Sequence, residues 1–264
     1  MMTRLWPILK NFAYYLAWKT TASTPRRSGE IHLHGARIFY VVYGTGAPVL
    51  LLHGGLSNRL SWFSQIPFLI KAGRQVILVD TRGHGQSTLG GKPLSYSLFA
   101  DDVLQVLDHL NIRQTDIVGW SDGGIIALIL AHQQPQRVRK IVAISANFHP
   151  SGLAEDATET MSATGLRQWL KKFWSGAGKE WSELEAGITQ LWVTEPRFEL
   201  EDLQSIHIPT LVVAGEQDMI TEEHSAELAQ QLAHGSLVVI PGAGHAAPIT
   251  DAQTMNDLLQ RFLD

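Results

Sequence analysis

The 264-residue sequence contains no cysteine. That excludes a disulfide framework, a thiolate metal site and a cysteine nucleophile, and it leaves the cellular compartment undecided. Charge is also sparse. Asp, Glu, Lys and Arg supply 17% of the residues, and the formal net charge is −4. A chain without excess positive charge has no electrostatic footprint for nucleic acid. Long apolar runs are missing as well. Near the start, Pro7, Lys10 and Asn11 interrupt the apolar residues, so that stretch cannot span a bilayer. Lys10 also spoils the unbroken apolar centre of a cleaved signal peptide. Internal repeats and low-complexity runs are absent. What is present is a hydrophobic content of 45%, enough for a sizeable core. The length suits one large α/β domain with room for an inserted subdomain.

Residues 1–29 differ from the remainder. Arg4, Lys10, Lys19, Arg26 and Arg27 are basic, and the first acid is Glu30. Leu5, Ile8, Leu9, Phe12 and Leu16 are expected on one helical face. Such a helix either packs on its own domain or a partner, the plainer expectation, or lies on a membrane surface through residues 1–28. The expected location is accordingly the cytoplasm, free or in peripheral membrane contact. Thr20 to Gly29 reads as a linker.

From Glu30 onward, strands and helices alternate. Glu30 to Tyr43, broken at Gly35, suggests a hairpin of edge strands. His32 and His34 share one strand face with no third ligand near, so they read as solvated edge residues. Pro48 to Leu52 is a buried-type strand ending in His53-Gly54-Gly55, whose small residues would let backbone N–H groups approach a substrate oxygen. Ser61 to Ala72 is helical, and Gln75 to Val79 is a strand. Asp80 to Ser87 is a charged, glycine-containing loop in which Asp80, Arg82 and His84 read as scaffold. Ser95 to Leu110 is a helix. Lys140 to Ser145, Pro209 to Ala214 and Ser236 to Ile240 are further strands, and Glu222 to Leu232 and Asp251 to Leu263 are helices. This rhythm predicts a mostly parallel sheet covered on both faces.

The rhythm fails over residues 151–206. Leu166, Trp169, Leu170, Phe173 and Trp174 follow helical spacing there, as do Trp181, Leu184, Ile188, Leu191 and Trp192. An all-helical insertion rich in aromatics is expected to cap a site. The predicted organisation is an N-terminal segment and linker (1–29), a core (30–150 and 207–264) and a helical cap (151–206).

The stretch that gives this layout chemical meaning is Val118-Gly119-Trp120-Ser121-Asp122-Gly123-Gly124. It follows a short apolar run and precedes a helix-compatible one. Strand, sharp turn and helix is the setting in which Gly-x-Ser-x-Gly presents a serine nucleophile. Serine needs an imidazole to take its proton and a carboxylate to orient that imidazole. Asp218 lies just past one strand and His245 just past the next. Parallel strands would bring both to the sheet edge that carries Ser121. Glu216 is the nearest rival for the acid. The other position such a fold uses, after the strand that follows the serine, holds Asn147.

Together, His53-Gly54-Gly55, Asp80 to Ser87, Gly119 to Gly124, Gly215 to Asp218 and Pro241 to His245 resemble the landmarks of the α/β-hydrolase family in order and spacing, over residues 30–264. The resemblance implies an α/β-hydrolase fold: a mostly parallel eight-stranded sheet, helices on both faces and a helical cap. It implies Ser121 as nucleophile, Asp218 as acid and His245 as base, with the N–H groups of Gly55 and Asp122 as oxyanion hole. Neither a metal nor an organic cofactor is implied.

Gly-Trp-Ser-Asp-Gly-Gly followed by Ile125-Ile126-Ala127-Leu128 is similar to the biphenyl hydrolase-like (valacyclovir hydrolase) group, which cleaves amino-acid esters. That similarity implies a substrate-binding role for Asp122, as anchor of a cationic group, and Trp120 beside it is expected to bind substrate as well. Helix capping is the alternative role for Asp122. The expected activity is hydrolysis of a small-molecule carboxylic ester through an acyl-enzyme. The alternatives are a cofactor-free haloperoxidase or perhydrolase, or a C–C bond hydrolase, on the same three residues. A non-catalytic binding module on this fold is the alternative of a different class.

Overall fold

The computed structural model of the chain describes residues 2–22, 24, 26–155 and 180–264. Eight strands form a single sheet: β1 (Arg26–Leu33), β2 (Ala36–Tyr43), β3 (Ala47–Leu52), β4 (Arg74–Val79), β5 (Thr115–Trp120), β6 (Val138–Ile144), β7 (Thr210–Gln217) and β8 (Gly235–Gly244). Their spatial order is β1-β2-β4-β3-β5-β6-β7-β8. β1 and β2 form an antiparallel hairpin, and β2 meets β4 antiparallel. Every later pairing is parallel. The expected eight-stranded, mostly parallel sheet is present.

The reason lies in the strands' composition. Leu50, Leu51 and Leu52 are fully buried, as are Ile77, Val79, Ile117, Val118, Ile141 and Val142. Continuous apolar runs of this kind suit central strands covered on both faces. The hairpin turn is made by His34 and Gly35, both at positive φ (50° and 77°), the geometry of a two-residue turn that matches strand twist. The side chains of His32 and His34 are exposed there.

The helices divide between the two faces. One face carries α3 (Tyr96–His109) and α4 (Asp122–Gln133). α4 is apolar nearly all round and buried from Asp122 to Ala131, as expected of a central helix. The other face carries α1 (Met2–Thr21), α2 (Gln65–Lys71) and a later helix, Ala252–Leu263. The predicted helix Ser61–Ala72 is two pieces. A short 3-10 turn, Arg59–Trp62, is capped by the Asn58 side chain, and α2 follows with Pro67 in its first turn.

α1 differs from its expected face. The residues turned inward are Ile8, Phe12, Tyr15 and Trp18, with Phe12 edge-on to Phe63 at 5.4 Å and Trp18 against Tyr43 at 5.5 Å. Leu9 and Leu16 point outward and are exposed. Aromatic area from Tyr15 and Trp18 decides the rotation, since large rings bury more apolar surface than leucine. The linker ends earlier than expected as well. β1 begins at Arg26, because residues 26–29 pair in register with Tyr43 to Tyr40.

Between β6 and β7 the described residues include α5 (Trp181–Thr194) and α6 (Leu200–Gln204). Trp181, Leu184, Ile188 and Leu191 are buried, the helical stripe expected. Leu184 lies so close to Gly83 that a methyl group on that glycine would touch it at 2.8 Å. Two carboxylates fasten the helix's ends to the core. Glu180 accepts from the Leu89 N–H and Glu195 from the Tyr96 N–H, both at 3.0 Å. The stripe Leu166, Trp169, Leu170, Phe173 and Trp174 lies outside the described residues. After β7 come α7 (Glu222–Gln231), then β8, α8 (Ala247–Thr250) and α9 (Ala252–Leu263). The expected closing helix, Asp251 to Leu263, is α9 with Asp251 at its N-cap, and the short α8 precedes it.

Candidate active site

β5 hands the chain to α4 through one residue, Ser121, at φ 54° and ψ −120°. That conformation is costly for a side chain with a Cβ, on the order of 1–3 kcal/mol. It persists because both flanks hold it. The Ser121 N–H donates to the Ile144 carbonyl at 2.8 Å, and its own carbonyl accepts from Gly124 and Ile125. The turn is too tight for neighbours with side chains. A Cβ on Gly119 would strike the Gly123 carbonyl, and one on Gly123 would strike the Leu52 carbonyl.

Parallel strands bring the other groups to the same edge. Ser145 follows β6, Asp218 follows β7 and His245 follows β8. The His245 Nδ1–H donates to Asp218 Oδ1 at 2.7 Å, leaving Nε2 to accept from the Ser121 hydroxyl at 3.0 Å. Asp218 is buried, which opposes ionisation. Hydrogen bonds from His245, Ser145 and the Gly215 N–H, with the attraction of His245, outweigh that and hold its carboxyl below the usual range. The fixed carboxylate therefore remains charged and orients the ring at neutral pH.

Glu216, the rival acid, accepts from the Gly242 N–H at 2.7 Å and stays exposed. Asn147 donates to the His149 carbonyl. Ser145, absent from the sequence-based expectation, donates its hydroxyl to Asp218 Oδ2 at 2.5 Å and sits at φ 51°. Its only sequence signal is its place directly after the apolar run that forms β6.

Trp120 does not offer its indole N–H to a ligand. It donates to the His245 carbonyl at 2.6 Å, with ring centroids 6.0 Å apart. It braces the segment carrying the imidazole. Trp120→Phe is expected to lower kcat roughly tenfold with KM nearly unchanged, the split of a group that positions another. Steady-state kinetics on p-nitrophenyl acetate would check this.

The loop after β3 is shaped by two buried neutral histidines. His53 Nδ1–H donates to the Gly54 carbonyl (2.8 Å), and Nε2 accepts from the Thr81 N–H (3.1 Å). His84 Nδ1–H donates to the Arg82 carbonyl (2.9 Å), and Nε2 accepts from the Leu56 N–H (3.0 Å). Burial pushes their pKa values down to about 4 and about 3, so both rings keep one acceptor nitrogen at physiological pH. Leu56 is thereby occupied, and the Ser57 N–H is bound to the Gly54 carbonyl. Gly54 lies against the nucleophile position: a Cβ there would sit 3.2 Å from that of Ser121. Asp80 and Arg82 hold the neighbouring loop as expected. Asp80 accepts from the N–H groups of Arg59 and Gln86 and from the Arg59 guanidinium. Arg82 grips Asp102 through two bonds of 2.8 and 2.7 Å.

Asp122 is only 4% exposed. Its Oδ1 accepts from the Trp192 indole at 2.9 Å, so α5 reaches the residue beside the nucleophile. Its Oδ2 lies where a Cβ on Gly55 would be, 2.5 Å away, and has no hydrogen-bond partner among the described residues. The buried Tyr96 hydroxyl is turned toward the same carboxylate and interacts with it. Burial is the main cause that raises the Asp122 pKa to about 6, against the lowering effect of Trp192, Tyr96 and His245. Among the described residues no group of three or more His, Asp or Glu is placed to hold a metal ion.

Comparison with known proteins bears on the fold that carries these residues. Residues 47–175 match the family model for the alpha/beta hydrolase fold, and residues 175–264 match that for TAP-like protein. The chain is 30% identical to a non-heme haloperoxidase of Rhodococcus erythropolis over 87% of its length and 97% of the relative's. It is 27% identical to serine hydrolase BPHL of Mus musculus over 92% of its length and 88% of the relative's. A solved meta-cleavage product hydrolase of Pseudomonas fluorescens IP01 superposes with a TM-score of 0.80 at 22% identity, covering 89% of this chain and 97% of that one.

Proposed function

The chain belongs to the α/β-hydrolase fold family, and on that premise we propose that it is a serine hydrolase of small-molecule carboxylic esters. The observation that carries the reading is the hydrogen-bonded chain Ser121–His245–Asp218, with the serine held at a strained strand-to-helix turn. Ser121 Oγ attacks the ester carbonyl carbon while its proton passes to His245 Nε2. The carbonyl oxygen becomes an oxyanion, received by the N–H groups of Gly55 and Asp122. Each such donor lowers the barrier by roughly 3 kcal/mol. The C–O bond to the alcohol breaks, and His245 returns the proton to the leaving oxygen. Water, deprotonated by the same imidazole, then attacks the acyl-enzyme and releases acid and free serine. The insertion over residues 151–206 acts as a cap that shapes the substrate pocket.

Within esters, we assign a preference for amino-acid esters. Gly119 to Gly124 supports it, as does the likeness to BPHL. So does a buried carboxylate beside Ser121 that meets no cation among the described residues, only the Trp192 indole and the Tyr96 hydroxyl. An ammonium group would be drawn to that carboxylate. A substrate panel tests both levels. Wild-type protein should turn over p-nitrophenyl acetate and react with a fluorophosphonate at Ser121. Asp122→Asn should cut kcat/KM for aminoacyl esters roughly tenfold or more, the worth of a charge-assisted bond, and change neutral esters little. Equal loss on both would assign Asp122 to helix capping, and no labelling of Ser121 would remove the hydrolase reading.

One observation favours a second activity on the same residues: the likeness to a non-heme haloperoxidase. A perhydrolase would use hydrogen peroxide in place of water on the acyl-enzyme, and peroxide-dependent bromination in the presence of acetate would reveal it.

A further inference from the structure

We propose that the outward face of α1 docks on an anionic lipid bilayer. Among the described residues six large apolar side chains stand exposed, and four belong to this helix: Trp6 (72%), Leu9 (52%), Tyr14 (60%) and Leu16 (46%). Trp6, Leu9 and Leu16, with Ala13 between them, recur at i, i+3, i+7 and i+10, and so form one stripe. This stripe is not the one that holds the helix to the domain. Ile8, Phe12, Tyr15 and Trp18 do that from the opposite side. The helix is therefore apolar on two faces, and its own fold uses one. Large apolar residues gathered on one exposed face of a helix mark an interaction surface.

Charge identifies the occupant. Lys10 is exposed beside the stripe, and Lys19, Arg26 and Arg27 are exposed beyond its end. No acid occurs before Glu30. Apolar side chains, a tryptophan and flanking lysines are what an in-plane helix needs to sink into the headgroup boundary of a negatively charged membrane. A second copy of the chain fits less well, since a two-fold pairing of this face would set the same lysines against each other. Spanning is excluded for the described helices, none of which is long and apolar enough to cross a bilayer.

A groove beside the stripe adds a place for a headgroup. It encloses about 670 Å³ between α1, α2 and the start of α9, with Trp6, Lys10, Tyr14 and Lys71 among its walls. The Ser64 hydroxyl opens on it, buried and without a hydrogen-bond partner among the described residues. The acid on its wall, Asp251, already accepts from the Thr250 hydroxyl at 2.6 Å.

The test is co-sedimentation of the full chain with vesicles of phosphatidylcholine alone or mixed with phosphatidylglycerol. Binding is expected to the mixed vesicles and not to the neutral ones, and to weaken as salt is raised. The triple variant Trp6→Gln, Leu9→Gln, Leu16→Gln keeps every charge and alters only exposed side chains. Its thermal midpoint should stay within a degree or two of the parent's, while its partition onto mixed vesicles falls roughly tenfold or more. Failure of the parent chain to sediment with mixed vesicles overturns the proposal, as does equal binding by the triple variant. A concentration-dependent dimer in light scattering, abolished by the triple variant, overturns it in favour of a second copy. None of these readouts depends on esterase activity.

Discussion

Ser121→Ala is expected to reduce turnover of p-nitrophenyl acetate by roughly 10⁵-fold or more, with folding left intact. The size follows from what the hydroxyl does. Without Oγ no acyl-enzyme forms, and His245 loses the group whose proton it accepts at 3.0 Å. What survives is water attacking an ester held near backbone donors, which retains about 10³–10⁴ over the uncatalysed rate. Alanine keeps the Cβ and so keeps the backbone strain at φ 54°, which makes the thermal midpoint a control: it should barely move. Ser121→Gly should be equally inactive yet more stable by about 1 kcal/mol or more, because glycine adopts that conformation freely. Residual activity of Ser121→Ala above one part in a hundred would mean that the ester is cleaved by another group.

The site's main chain of bonds was legible in the sequence because strand ends are legible. A serine, an aspartate and a histidine each directly after a buried-type strand must lie on one edge if the strands run parallel, whatever their separation along the chain. β5, β7 and β8 do so. Tertiary partners were not legible in this way. Nothing in the residues around Trp192 states that its indole reaches back across 70 positions to Asp122. Nor does the sequence say that Trp120 spends its N–H on the His245 backbone, since a tryptophan beside a nucleophile serves a pocket wall equally well. Ser145 is a small polar residue at a strand end, and such residues are common there without touching an acid. In α1 the helical period is legible but the rotation is not. Leu5, Ile8, Leu9, Phe12 and Leu16 span an arc wide enough to admit two orientations. Contacts with Phe63 and Tyr43, far along the chain, choose between them.

Asp122→Asn should stabilise the protein at pH 7.5 by up to about 3 kcal/mol, raising the thermal midpoint by roughly 5 °C or more. In the folded chain burial lifts the Asp122 pKa from 3.8 to about 6. Between those values the folded state binds more protons at this site than the unfolded state does. Stability therefore falls as pH rises through the window, and above it the whole cost of a buried charge is present. The cost is about two pKa units, each worth ~1.4 kcal/mol. Asparagine has the same shape without the charge. Its Oδ1 can still accept from Trp192, and its amide can donate to the Tyr96 hydroxyl that interacts with the carboxylate in the parent. The difference between the two proteins must then shrink to a small fraction of its neutral-pH size near pH 4, where folded Asp122 is protonated and only part of the unfolded population is charged. Thermal unfolding of both proteins at pH 4, 5, 6 and 7.5 measures this directly, and a pH-independent difference would assign the effect to packing rather than to charge. On the proposed amino-ester reading, the stability that Asp122 costs at neutral pH is offset by what its negative charge does for a cationic substrate. The stability measurement and the loss of aminoacyl-ester turnover should therefore appear together in this one variant.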